Sequence, residues 1–403
     1  MVERIKVVRD SSVYRNMKDP SFLKYYYKFQ TVQKIEGNSI YGSSPPDIFV
    51  GRFGYPNVYI GPLVPPELGD TTIMGSPEMW VGKSIEEIVK FRSSLVRGMY
   101  RTRINNADNG KIEEMIAELA MADKYSAVEE LFKSRPVFGM HFDENSQPYG
   151  PSAKLDDMKI DNSTANPKIE KAYSDTDMNS TSAMIELYNS GVAVSKIQKS
   201  LSAGILGMGK RRKLVPTRWS ITAVDDSLSK YKLRSVKENE TIDAIRVYEN
   251  IALDNRWLVI MIPGAWEYEL VEAWYPNTTW NTASENIEIY SSYEPFKGRT
   301  AYAEIGGCYY AARLASSELL DKMQKQARVV ILREAHPGYI MPVGVWNVRE
   351  HVREALKGTP TVMEGFEDLF AFVSSRMDIS PNTWIKNSTL LSLALRQRRL
   401  VQG

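Results

Sequence analysis

Cysteine is almost missing: Cys308 is the only one among 403 residues. That excludes an internal disulfide and any structural zinc held by several thiolates. Histidine is nearly as scarce, with His141, His336 and His351 far apart in the sequence and no two-histidine helical motif. A catalytic metal would therefore be held largely by carboxylates, which suits magnesium or manganese. There is no run of about 18 apolar residues able to span a bilayer, and the opening MVERIKVVRD lacks the apolar core of a secretory signal. A cytoplasmic protein without a membrane partner is expected. Phosphate-loop signatures are missing too: neither GxxxxGK[ST] nor GxGxxG after a strand occurs, which argues against a nucleoside-triphosphate motor. Charge of one sign is not in excess, since 51 Lys and Arg face 49 Asp and Glu for a formal net charge of +2. Any case for nucleic acid must rest on local clustering.

What is present is an ordinary globular composition, 43% hydrophobic and 25% charged, in a chain long enough for two or three cores. The Gly-, Pro- and aromatic-rich stretch GNSIYGSSPPDIFVGRFGYPNVYIGPLVPP reads as short strands joined by tight turns, with Ile48–Val50 and Val58–Ile60 as strand candidates. Ser84 and Glu87 have capping-box spacing, so a helix should begin there and bury Ile85, Ile88, Val89, Leu95 and Met99. A second helix is expected through GKIEEMIAELAMADKYSAVEELFKS. Residues 143–182, polar and punctuated by Pro, read as a long surface excursion. Further on, MIELYNSG is helical with Gly191 as its cap, and RWSITAV has the alternation of a strand. RWLVIMI and AWEYELVEAWY form a hairpin candidate about Pro263 and Gly264. After a polar link at 276–299 come a helix (GGCYYAARLASSELLDKMQKQ), a buried strand (ARVVILRE), a loop (HPGYIMPVG) and a helix (VWNVREHVREALK). The expected fold is α+β, with mixed sheets and flanking helices in two closely packed domains, 1–285 and 286–403.

Four places carry chemistry. Lys210, Arg211, Arg212 and Lys213, with Arg218 shortly after, follow the glycine-containing LSAGILGMG, a pattern that suits a phosphate cradle for DNA or a nucleotide and equally a solvated loop. Asp225 and Asp226 would end the RWSITAV strand; with Glu267 and Glu269 they could complete an oxygen-ligand set for a two-metal nuclease, or Asp225 could simply cap a helix. Arg333, Glu334, His336 and Tyr339 cluster in a strand-to-loop passage where histidine could carry a proton, or satisfy a turn before Pro337. Asp47 and Arg52 stand on rigid turns that would suit a nucleotide or modified base, or form an ion pair between strands.

The blocks SPPDIFVGRFGYPNVYIGPL, LSAGILGMGKRRKLVPTRWSITAVDD and REAHPGYIMPVGVWNVRE, in that order, resemble the archaeal Nre family of DNA repair proteins. The resemblance spans roughly 35–400 and implies an N-terminal family domain to about 285 and a smaller C-terminal one. It also implies contact with damaged DNA and with the sliding clamp (PCNA) through a C-terminal peptide of a Gln, an aliphatic residue three positions on, and an aromatic. In ALRQRRLVQG, Gln397 and Leu400 match the first two features, and the sequence stops without the aromatic. A cysteine-rich zinc element carried by some members has no counterpart at this N-terminus.

Overall fold

The computed structural model describes residues 6–7, 35, 37–136, 146–161, 163–278, 280–281 and 284–402. They form two compact units, each a mixed sheet with helices, so the fold is α+β. One unit holds the described residues of Phe29–Leu228 and Pro342–Trp346; the other holds those of Met1–Lys28, Ser229–Met341 and Asn347–Gly403.

A two-residue strand, β1 (Lys6–Val7), belongs to the second unit. The first unit's sheet contains β2 (Ser39–Ser44), β3 (Ile48–Val50), β4 (Asn57–Val64), β5 (Val96–Arg103), β6 (Ser126–Phe132) and β7 (Ser152–Asp161), ordered β2-β6-β7-β5-β4-β3. β5 and β7 are parallel, and the other neighbours are antiparallel. Its helices are α1 (Ile85–Ser93), α2 (Lys111–Met121), α3 (Pro167–Ser174), α4 (Ser180–Asn189), α5 (Val194–Ser202) and the first part of α6 (Thr217–Val236).

α1 starts as the capping box requires: the Glu87 amide donates to Ser84 Oγ (3.2 Å) and the Ser84 amide to the Glu87 carboxylate (2.9 Å). It stops at Ser93, so Leu95 and Met99 are not on its inner face; Met99 belongs to β5. The sheet claims this stretch because β4 and β5 meet closely at two glycines. A Cβ on Gly61 would lie 1.7 Å from the Gly98 carbonyl oxygen. The second expected helix is likewise split, since SAVEELF forms β6 and buries Ser126, Val128, Glu130 and Phe132 at a period of two. The polar excursion is mostly ordered secondary structure. Residues 137–145 lie outside the description, AKLDDMKID forms β7 near the sheet's centre, and α3 follows with Asn166 accepting from the Lys168 and Ile169 amides.

The RWSITAVDD stretch is helix, not strand. Ile221, Val224 and Leu228 recur at helical spacing and are all buried, so packing overrides the β preference of branched side chains.

In the second unit β8 (Ile245–Ala252), β9 (Asn255–Ile262), β10 (Glu267–Trp274), β11 (Glu288–Glu294), β12 (Arg328–Ala335) and β13 (Thr361–Met363) are ordered β1-β11-β10-β12-β9-β8-β13. β9 and β10 are not a hairpin: β12 lies between them, antiparallel to β9 and parallel to β10. β9 turns back on β8 through Leu253 and Asp254, whose φ values of 50° and 52° make the tight turn. The boundary expected at 285 falls between β10 and β11, which are antiparallel neighbours in one sheet.

α7 (Gly307–Met323) and α8 (Trp346–Lys357) present backbone carbonyls to polar side chains on one face of this sheet: Tyr268 Oη donates to the Tyr309 carbonyl, and Asn250 Nδ2 to the His351 carbonyl. The other face is apolar except for the buried carboxylates of Glu269 and Glu334. Val271, Val330, Leu332, Leu258 and Ile260 form one core with Leu369 and Val373 of α9 (Phe366–Arg376), Trp384 of α10 (Pro381–Asn387) and Leu390 of α11 (Thr389–Gln402).

Candidate nucleic-acid interface

Asp47, in the turn between β2 and β3, is buried with Oδ2 2.6 Å from Arg92 NH1 of α1 and Oδ1 3.1 Å from Lys199 Nζ of α5. Burial works to raise its pKa, but Lys199 and Arg92 outweigh burial and hold the carboxyl below its ordinary value. Arg92 also donates to the Met74 and Pro148 carbonyls at 2.9 and 2.8 Å. Asp47 is thus committed to Arg92 and Lys199 rather than to Arg52, a correction to the pairing read from sequence. This triad lines a small pocket whose wall mixes Gln198, Ser202, Thr217 and Ser220 with Phe49, Leu63 and Ile221. Two of the quoted sequence blocks, those containing Asp47 and Thr217, meet here.

Gln198 crosses from α5 to α6, donating to Asp225 Oδ1 at 3.3 Å. Asp225 is therefore fully buried within helix packing, and Asp226 is half-buried beside it. Both precede Ser229 and belong to the first unit, whereas Glu267 and Glu269 belong to the second. Glu267 Oε2 lies 2.9 Å from Arg328 Nε and its Oε1 accepts from the Tyr293 hydroxyl. Glu269 caps α11, accepting from Ser388 Oγ (2.5 Å) and the Thr389 and Leu390 amides (2.9 and 2.8 Å). Its carboxylate is occupied as a helix cap and not as a metal ligand.

Among the described residues, the His, Cys, Asp and Glu ligand atoms found within 4.8 Å of one another are those of Glu334, His336 and Asp378. The Glu334 oxygens already accept the Asp378 and Ile379 amides at 3.2 and 2.8 Å, and Asp378 pairs with Arg256. His336 stacks on Tyr275 with ring centroids 4.3 Å apart. This trio holds the start of the α10 segment against β12. Arg333 is fully buried: NH1 reaches Glu272 Oε1 at 2.6 Å, Nε reaches Asn255 Oδ1 at 2.8 Å, and the guanidinium lies against Trp257, Trp274 and Tyr339. A group so enclosed holds a core together and does not meet a phosphate backbone.

The basic run divides. Arg212 is buried, donating to the carbonyls of Gly207 (2.8 Å), Tyr173 (2.6 Å) and Asp175 (3.0 Å) with its guanidinium 4.7 Å from the Tyr173 ring centroid. It anchors the segment. Lys210, Arg211 and Lys213 are exposed around that anchor, and Arg218 is half-buried at the start of α6.

Backbone hydrogen bonds tie this segment to two others. The Leu214 amide donates to the Ile104 carbonyl (2.8 Å), and the Ile104 amide to the Pro56 carbonyl (3.0 Å). The Val50 amide donates to Thr217 Oγ1 at 2.9 Å. Residues 51–57, 101–106 and 210–219 carry one, two and five cations respectively and no acid. Arg101 and Arg103 are exposed on β5, and Arg52 is exposed over the Phe53 ring at 4.9 Å. Sequence reasoning missed Arg101, Arg103, Phe53, Tyr55 and Trp219. The available signal was aromatic residues beside arginine in RFGYP and TRW.

The family model described as "Archaeal Nre, N-terminal" matches residues 18–281, and "Archaeal Nre, C-terminal" matches 294–402. The chain belongs to the archaeal Nre family. It is 44% identical over 362 residues to a DNA repair protein NreB of Archaeoglobus fulgidus, covering 90% of this chain and 91% of that one. It is 37% identical to a DNA repair protein NreA of the same organism (87% and 88% covered) and 36% identical to an NreA of Haloferax volcanii (89% and 88%). No solved structure matches the chain. Among the described residues no helix is long and apolar enough to cross a membrane.

Proposed function

We propose that this protein acts in repair of damaged DNA, the role for which its Nre relatives are named, and that it holds DNA on the basic surface of its first unit. The observation that carries this reading is the juxtaposition of three acid-free segments in a chain of almost balanced charge. Lys and Arg contacts displace counterions condensed on DNA, so affinity falls with salt by roughly 0.9 in logarithmic slope per phosphate contacted. Fluorescence anisotropy with labelled duplex and single-stranded DNA from 50 to 300 mM salt tests it. Arg211→Ala with Lys213→Ala should lower the slope by about 2 and weaken binding whatever the base sequence. Affinity unmoved by salt or by the double substitution would refute the assignment.

Association with the sliding clamp through the end of α11 is part of the same proposal. It rests on the family resemblance and on Gln397 and Leu400, whose side chains lie outside the described residues. Co-elution with an archaeal clamp, compared between the full chain and one ending at Arg396, tests it, and equal co-elution would remove it.

A further inference from the structure

Three large rings stand in water on the first unit: Phe53 is 79% exposed, Tyr55 50% and Trp219 44%. Tyr55 and Trp219 lie against each other, tilted, with centroids 5.1 Å apart and planes inclined by 58°. Arginine adjoins two of them: Arg52 lies over the Phe53 ring, and Arg218 precedes Trp219 in sequence. The backbone beneath is fixed, with the Asn57 amide bonded to the Gly54 carbonyl (2.9 Å), the Gly51 amide to the Tyr59 carbonyl (2.8 Å) and the Trp219 amide to the Pro216 carbonyl (2.8 Å).

Resting on the DNA-binding reading above, we infer that Phe53, Tyr55 and Trp219 form a stacking platform for the bases of single-stranded DNA. Leaving an aromatic in water forgoes the transfer energy of its burial, and three such rings, two in contact and the third two residues from Tyr55 in the same turn, mark a contact surface. The surroundings specify the occupant. An apolar peptide would gain nothing from Arg52, Arg101, Arg103 and Lys213, exposed on the same three linked segments, whereas an unpaired strand offers flat bases to the rings and phosphates to the cations. In a duplex those base faces are stacked on one another and closed to the rings. Base-on-aromatic stacking is tolerant of sequence and costs on the order of tenfold in affinity per ring removed.

Trp219 supplies a direct reading. Of the other tryptophans, Trp80, Trp257, Trp266, Trp274, Trp346 and Trp384 are at most 2% exposed and Trp280 is half-buried, so the difference in iodide quenching between the full chain and its Trp219→Phe variant isolates Trp219. Added oligo(dT) should protect that difference signal, and the quenching that remains in Trp219→Phe should not respond to oligo(dT). In anisotropy, Tyr55→Ala with Trp219→Ala should weaken oligo(dT) binding about 100-fold and duplex binding less than twofold, while Tyr55→Phe with Trp219→Phe restores it. The Arg211→Ala, Lys213→Ala pair should weaken both ligands alike. If the ring variants bind oligo(dT) as the parent does while salt dependence persists, the platform is wrong and DNA binding stands. If the parent binds neither ligand, both readings fall.

Discussion

Arg212 and Lys213 are neighbours of the same charge with opposite roles. Removing the Arg212 side chain would leave three carbonyls without their donor and a gap against Tyr173, and buried groups stripped of partners cost about 1–3 kcal/mol each. Arg212→Ala should therefore lower unfolding free energy by roughly 3 kcal/mol in urea titrations, whereas Lys213→Ala, an exposed change, should stay within about 0.5 kcal/mol. His351 makes a prediction in pH. Burial, opposed by its hydrogen bond to Asn347, brings the imidazole down to about 4, from an ordinary value of 6.5. The unfolded chain takes up this proton near pH 6.5 and the folded chain does not until near 4, so stability present above 6.5 is lost as pH falls through that window. The loss approaches roughly 3 kcal/mol. Urea midpoints of the parent should decline from pH 6.5 to 4 more steeply than those of His351→Gln. An equal decline in both would count against a buried neutral imidazole.

Helix starts, strands and caps show what sequence can announce. The Ser84 and Glu87 box, β3, α7 and β12 were readable because each is specified by residues within one short window. The α6 strand expectation failed because Ile221 and Val224 favour strands locally, while the surfaces that bury them come from distant parts of the chain. β7 was hidden because Asp156, Asp157 and Lys159 dominate its composition and because buried Leu155 and Met158 stand three apart across a shift in its pairing with β6, which breaks the period of two. The candidate site was half legible: exposed Lys210, Arg211 and Lys213 stand where a basic run suggested. By contrast, Arg92, 45 residues from Asp47, could not be assigned to it by spacing. Glu269 was read as a ligand because its function as a cap depends on Ser388, more than a hundred residues later. Glu269→Gln keeps one acceptor and loses the charge that faces three donors, so α11 should loosen by about 1–2 kcal/mol. Hydrogen exchange at the Thr389 and Leu390 amides should accelerate correspondingly, and unchanged protection would exclude the cap.

The two family regions meet at 281–294, yet the second unit's sheet runs through that junction: β10 pairs with β11 on one side and β12 on the other. A fragment ending at residue 285 keeps β8, β9 and β10 but lacks the strand that joins β9 to β10. It should be recovered as an aggregate or unfold without a cooperative transition for that sheet. A soluble, cooperatively melting 1–285 fragment would show that the strands find another arrangement.

The same late arrival bears on synthesis. At about 5–20 residues per second, a ribosome takes roughly 3 to 12 s to make the stretch from the end of β10 to the end of β12. Throughout that interval two finished, apolar strands wait side by side, and the pairing open to them is the one local sequence suggests, with each other. Any such hairpin has to open before β12 can enter between β9 and β10.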